Sequence, residues 1–264
     1  MAYESLLYEV AGPIARITIN RPERRNALSW ALVRELRHAF AEAKAHPDVH
    51  VCVLTGAGDR AFCAGADLAE MTTAEGRGPG FLELHQARGE LAGLLRDLYE
   101  LGKPTIAQVR GYALAGGFGL ALTCDLVVAA DDAVFGVPEV DVGLWPHLVT
   151  VPLVRSMPPK IALELMLSGR RVDAEEAARI GFVNQVVPAA ELAERVDELA
   201  ATLAAKSPAA VRLGRDAFYA VWDQDVDTSL RLLHPMLSVT AATEDAAEGI
   251  AAFEQKRPPT WSGR

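Results

Sequence analysis

The stretch Gly111 to Glu139, GYALAGGFGLALTCDLVVAADDAVFGVPE, pairs residue types that can do chemistry together. Gly116-Gly117 opens a run of small residues with helical character. The first N–H groups of a helix lack intrahelical partners and carry partial positive charge. They can hold a carbonyl oxygen that becomes an enolate. The same glycines equally serve close helix–strand packing. Glu139 follows Pro138 within the apolar run Val134 to Val140. A carboxylate with apolar neighbours has a raised pKa, which suits a general acid/base. A glutamate on a surface turn fits the same spacing. A second segment, Ala64-Gly65-Ala66-Asp67, can present another backbone N–H at Ala66. It also reads as a tight turn with Asp67 capping a helix.

Other chemistries find no support. His46 and His50 are four apart but flank Pro47, so they do not share a helical face, and neither HExxH nor a Cys/His cluster occurs. No metal is expected. GxSxG is missing, and Gly56-Ala57-Gly58 lacks the third glycine of a dinucleotide fingerprint.

The elements that must position these residues alternate. Leu6 to Val10 and Ile14 to Asn20 read as a hairpin about Gly12-Pro13. A polar loop with Arg24 and Arg25 follows. Ser29 caps a helix to about Ala45, and Val49 to Thr55 is a buried strand. Met71 to Phe81 carries three glycines and is expected to be mobile. Leu82 to Leu101 fits a long helix and Thr105 to Val109 a strand. Helices are expected over Val149–Met157, Lys160–Leu167 and Ala174–Ile180, and a strand over Phe182–Val187. Beyond Ala189 the pattern is helical only, with breaks near Ser207-Pro208, Asp223 and Glu244. The expected organisation is therefore an α/β part over 1–188 and a helical part over 189–264.

The 264 residues are half hydrophobic, enough for a substantial core. A net charge of −9 argues against nucleic acid or an anionic membrane as partner. No apolar run is long enough to span a bilayer. The start MAYESLLYEV lacks the features of a signal peptide, so a cytoplasmic location is expected. Cys52, Cys63 and Cys124 are scattered and read as free thiols.

Taken in order, several segments resemble the crotonase family, the enoyl-CoA hydratase/isomerase superfamily. They are Asn20-Arg21-Pro22 with Asn26-Ala27-Leu28, Phe62 to Leu68, and Gly111 to Gly117. Cys124-Asp125, Phe135 through Gly143, Leu167-Ser168-Gly169, Ala174 to Ala177, Gly181 to Asn184 and Phe253 to Arg257 continue it across the chain.

The resemblance implies an α/β fold, a crotonase-like superhelix of repeated ββα units with a C-terminal helical trimerisation region. It implies a homotrimer or a hexamer. The substrate is an acyl-CoA thioester, with no cofactor beyond that coenzyme A. Its oxygen is expected between the N–H groups of Ala66 and Gly116, with Glu139 as acid/base. Losing one such donor costs roughly 3 kcal/mol of barrier. Arg25, Ala27, Ala64, Gly65, Asp67, Leu68, Leu114, Gly117, Pro138, Leu144 and Trp145 are expected along the acyl-CoA. Phe253 and Lys256 match a tail position that contacts CoA in a neighbouring subunit.

Hydratases of this family use two glutamates. Glu139 matches one, and the position of the other holds Gly119. That favours double-bond isomerisation, which one carboxylate suffices for, over hydration. A position that carries an aspartate in some members is His147 here, either a second acid/base or a polar residue at a helix start. An acyl-CoA-binding protein without catalysis is the alternative.

Overall fold

The computed structural model describes residues 3–67 and 80–264. Leu68 and the glycine-bearing segment expected to be mobile lie, apart from Gly80 and Phe81, outside the described residues. The hairpin forms as β1 (Leu6–Ala11) and β2 (Ile14–Ile19). A short 3-10 turn, Pro22–Arg24, leads to α1 (Trp30–Ala45), whose N-terminus is capped by Ser29 Oγ accepting from Leu32 N–H. The chain continues through β3 (Val51–Gly56), β4 (Ala61–Cys63), α2 (Phe81–Tyr99), β5 (Thr105–Val109), β6 (Tyr112–Leu114), α3 (Gly116–Thr123), β7 (Leu126–Ala130) and β8 (Val134–Gly136). After a 3-10 turn at Pro138–Val142 come α4 (Thr150–Ser156), α5 (Pro159–Ser168), β9 (Arg171–Asp173), α6 (Ala174–Ile180) and β10 (Gln185–Val187). Helices α7 (Leu192–Ala204), α8 (Pro208–Val221), α9 (Val226–Ala241) and α10 (Glu244–Glu254) complete it.

Two sheets organise the strands. The larger has the order β1-β2-β3-β5-β7-β10 and the smaller β4-β6-β8-β9. The pairs β3–β4, β5–β6 and β7–β8 each place their first strand in the large sheet and their second in the small one. Successive pairs add in parallel, so the chain winds as a superhelix.

The side chains explain why the large sheet is sandwiched. On β3, Cys52 and Leu54 enter the main core while Val51 and Val53 face a second one. On β7, Val127 and Ala129 face one way and Val128 and Ala130 the other. This two-residue alternation with both faces apolar is what a covered parallel sheet requires. Helix α7 covers the second face with Leu192, Val196, Ala200 and Ala204, spaced four apart on one helical stripe. Arg16 ties the edge of that layer to Asp197.

The small-sheet strands were not evident in the sequence. β4, β6, β8 and β9 have three residues each, too few to show a period. The strand expected over Phe182–Val187 is confined to Gln185–Val187; Phe182 instead fills the core against Phe118 and Phe135, with ring centroids 5.2 and 5.3 Å away. Cys52, Cys63 and Cys124 are free and buried, and burial raises each thiol pKa, to about 12 for Cys52 and Cys63. Among the described residues no helix is long and apolar enough to cross a membrane.

Candidate active site

The small sheet builds the site at the carboxyl ends of three parallel strands. Cys63 on β4 opposes Ala113 on β6, and Leu114 on β6 opposes Gly136 on β8. Ala66, Gly116 and Glu139 each lie three residues past Cys63, Ala113 and Gly136 respectively. Parallel pairing in this register therefore gathers the three at one edge, where open α/β sheets bind ligands.

Helix α3 supplies the first N–H groups. Its N-cap, Ala115, has φ 50° and ψ −126°, a conformation strained for a residue with a Cβ. The backbone is held there by Ala115 N–H donating to Gly136 O at 2.8 Å. Ala115 has no side-chain oxygen, so it cannot cap the helix. Among the described residues nothing accepts from Gly116 N–H, which remains available to a ligand. Gly117 permits the approach to β4: a Cβ there would lie 2.1 Å from Cys63 O. Phe118 anchors the helix from behind against Phe135, at 5.4 Å between centroids.

The second N–H comes from a bridge between Leu28 and Ala66. Leu28 N–H donates to Gly65 O at 2.7 Å, and Asp67 N–H donates to Leu28 O at 2.9 Å. Strand geometry then turns Ala66 N–H to the opposite edge, where no described group accepts it. Gly65, at φ 93°, lies against α3: a Cβ there would be 3.5 Å from Gly116 N. The two free N–H groups thus sit on neighbouring segments.

Glu139 enters from the 3-10 turn begun by Pro138. Its Oε2 is buried and, among the described residues, has no hydrogen-bond partner. Burial raises its pKa above the ordinary carboxylate value, and a bond to its own backbone N–H lowers it in part. Its carbonyl accepts from Leu144 N–H at 2.9 Å, which fixes the turn. A half-buried carboxylate with one orphan oxygen is poised to take a proton from something that enters.

The remaining expected residues divide. Ala64 N–H donates to Arg25 O at 3.1 Å, so the Arg25–Ala27 loop and the Ala64–Asp67 segment are joined. Asp67 is buried and accepts from Arg21 at 3.1 Å, while Arg21 also donates to Ala27 O at 2.7 Å. Leu114 and Gly117 flank Gly116, and Pro138 precedes Glu139. Trp145 packs against the core, whereas Leu144 is exposed. His147 is exposed, with its N–H bonded to Trp145 O. Phe253 and Lys256 sit on and just after α10, which packs on α8 and α9.

Asn26 stood within the expected loop without a role of its own, and Arg60 was not among the expected residues. Asn26 is buried at φ 56°; its amide donates to Ala57 O and Ala61 O and accepts from Arg21 N–H, clamping the loop onto the β3–β4 turn. Arg60 shares with Arg25 a cavity of about 290 Å³ that Pro22, Gly58 and Asp59 also line. The Asn26-Ala27-Leu28 segment of the resemblance was the available signal for the first. Nothing local marked the second. A larger cavity, about 470 Å³, lies away from Glu139, beneath α8.

A profile of the family described as enoyl-CoA hydratase/isomerase matches residues 9–264. A carnitinyl-CoA dehydratase of Proteus mirabilis is 36% identical, with 99% of each chain covered. A probable enoyl-CoA hydratase of Mycobacterium tuberculosis is also 36% identical over the full length of both. Among solved structures, human enoyl Coenzyme A hydratase domain-containing protein 3 has a TM-score of 0.91 at 33% identity, covering 98% of this chain and 100% of that one. An enoyl-CoA hydratase of Bacillus anthracis gives 0.92 at 33%, covering 99% and 100%. The two-sheet superhelix with its helical C-terminal region is the fold these structures share.

Proposed function

Since the chain belongs to the enoyl-CoA hydratase/isomerase family, and is an enzyme of that type, we propose that it moves a proton at the α-carbon of an acyl-CoA thioester. The observation that carries this reading is the orphan Oε2 of Glu139 at the strand ends that also present Ala66 and Gly116 N–H. The thioester oxygen accepts from both N–H groups. As Glu139 takes the α-proton, negative charge grows on that oxygen and the two donors stabilise the enolate. For a 3-enoyl thioester, the same carboxylate returns the proton to the γ-carbon, and the double bond moves into conjugation.

Isomerisation is preferred over hydration because Gly119 leaves Glu139 without a second carboxylate. Hydration or dehydration is the second reading, favoured by the names of the relatives at 36% identity. The test is turnover of 3-enoyl-CoA against crotonyl-CoA by the purified protein. Faster isomerisation supports the first reading, and faster hydration the second. Tight binding with no turnover of either would leave a carrier of acyl-CoA.

Arg25 is the phosphate contact in this reading, in a cavity that Arg60, Glu23 and Asp59 also line. Arg25→Glu is expected to weaken CoA binding at least tenfold in calorimetry with an unchanged melting temperature. Equal affinity would remove Arg25 from the site.

Helices α8 to α10 are the proposed oligomerisation surface. α9 has no buried residue, yet Val226, Leu230, Leu232, Leu237 and Val239 are exposed on it. A surface this apolar on one helix requires a cover. A homotrimer, or a hexamer of two, places Phe253 and Lys256 beside a neighbouring site.

A further inference from the structure

Gly119 does more than omit a carboxylate, because the space beside it is filled. The residue is buried in α3, one turn past Gly116 and on the same helical face. Its N–H donates to Ala115 O at 3.0 Å and its carbonyl accepts from Thr123 Oγ1 at 2.7 Å, so the backbone is fixed at both ends. A Cβ built on Gly119 would lie 3.0 Å from Val149 Cγ2, 3.1 Å from Cγ1 and 3.4 Å from Cβ. Those are carbon–carbon approaches inside ordinary contact distance. A side chain at 119 would drive into a branched, buried neighbour.

Val149 has little freedom to withdraw. It is 4% exposed, and its carbonyl accepts from Leu153 N–H at 3.1 Å. The segment before it is pinned to the catalytic turn by Leu144 N–H on Glu139 O, and Thr150 N–H donates to Pro146 O at 2.8 Å. A β-branched residue also has few rotamers to choose from.

We propose that Val149 is a specificity-determining residue: its two methyl groups close the Gly119 face of α3, so that neither a second acid/base side chain nor an activated water can stand there. This rests on the reading of Glu139 and the two N–H groups given above, and deepens it. Hydration needs water oxygen to bond to the β-carbon while a proton is delivered to the α-carbon and the carbon–carbon π bond is lost. The water's own proton must be taken by a base beside it. With Val149 in place, Glu139 can serve the α-carbon, but the water and its base have no room.

The test uses the full-length protein and two readouts. Exchange of the α-protons of butyryl-CoA in deuterated water reports Glu139 and the N–H pair alone. Hydration of crotonyl-CoA reports the second acid/base position. Gly119→Glu alone is expected to lose α-exchange at least tenfold and gain no hydration. Gly119→Glu with Val149→Gly is expected to recover α-exchange and to hydrate at least tenfold faster than either single variant. Val149→Ala added to Gly119→Glu, a smaller opening than glycine, is expected to recover part of the lost α-exchange. Hydration by Gly119→Glu as fast as by the pair would overturn the proposal. So would a folded Gly119→Glu/Val149→Ala protein that recovers no α-exchange. A wild-type protein with no α-exchange would overturn the reading of Glu139, and this inference with it.

Discussion

Glu139 shows how one residue can be costly to the fold and necessary to the site. Its buried oxygen has no donor among the described residues, and burial raises its pKa. A carboxyl group whose native pKa exceeds its unfolded value is fully compatible with folding while protonated. It loses stability as pH rises through the native pKa. Glu139→Gln removes that loss. The variant is expected to be more stable than wild type at pH 7, because the amide occupies the same buried position but cannot ionise. The gain should vanish at about pH 3, where glutamate is protonated in both states. Urea melts at the two pH values check this, and an equal difference at both would contradict it. The apolar run around Glu139 was legible as a raised-pKa environment. Its orphan oxygen was not, since that depends on which donors the fold withholds.

At the scale of elements, the site is a matter of register. Ala66, Gly116 and Glu139 are separated by tens of residues, yet β4, β6 and β8 bring them to one edge by parallel pairing. α3 was legible from its small residues, and so were most long elements, because their apolar periodicity matches burial. The three-residue strands were not. They are defined by partners rather than by their own pattern, so the sheet that aligns the site was the least readable part. Gly117 measures how close the helix must come. Gly117→Ala would place a Cβ at 2.1 Å from the Cys63 carbonyl oxygen, a backbone atom without a rotamer to change. Displacement of α3 by even an ångström moves Gly116 N–H away from the substrate oxygen. Loss of at least 100-fold in kcat is expected, with a stability cost of about 1–3 kcal/mol. Wild-type kcat in this variant would show that the approach is not needed.

Across the whole molecule, one buried charge cluster joins the C-terminal helices to the sheets. Arg215 on α8 donates to Asp125 at 2.9 Å, to Tyr99 O and to Leu98 O, both at 2.7 Å. Asp125 also accepts from Thr105 N–H and from the Tyr219 hydroxyl. The cluster therefore fastens α8 to the end of α2 and to the strands on either side. Breaking a buried pair from one side costs about 3–5 kcal/mol, because the partner charge stays behind. Arg215→Leu is expected to lose that much in chemical denaturation, and a loss under 1 kcal/mol would show that α8 is held by packing instead. The break from alternating elements to helices was visible in the sequence. The Arg215–Asp125 link was not, since 90 residues separate the partners and the Cys124-Asp125 motif does not name its partner.

The most direct test of the account is isomerisation of a 3-enoyl-CoA by Glu139→Ala beside wild type, with KM and kcat measured separately. A positioned acid/base contributes on the order of 100- to 10,000-fold. The account predicts a fall of that size in kcat with KM changed by no more than a few-fold. Undiminished kcat in Glu139→Ala would contradict it.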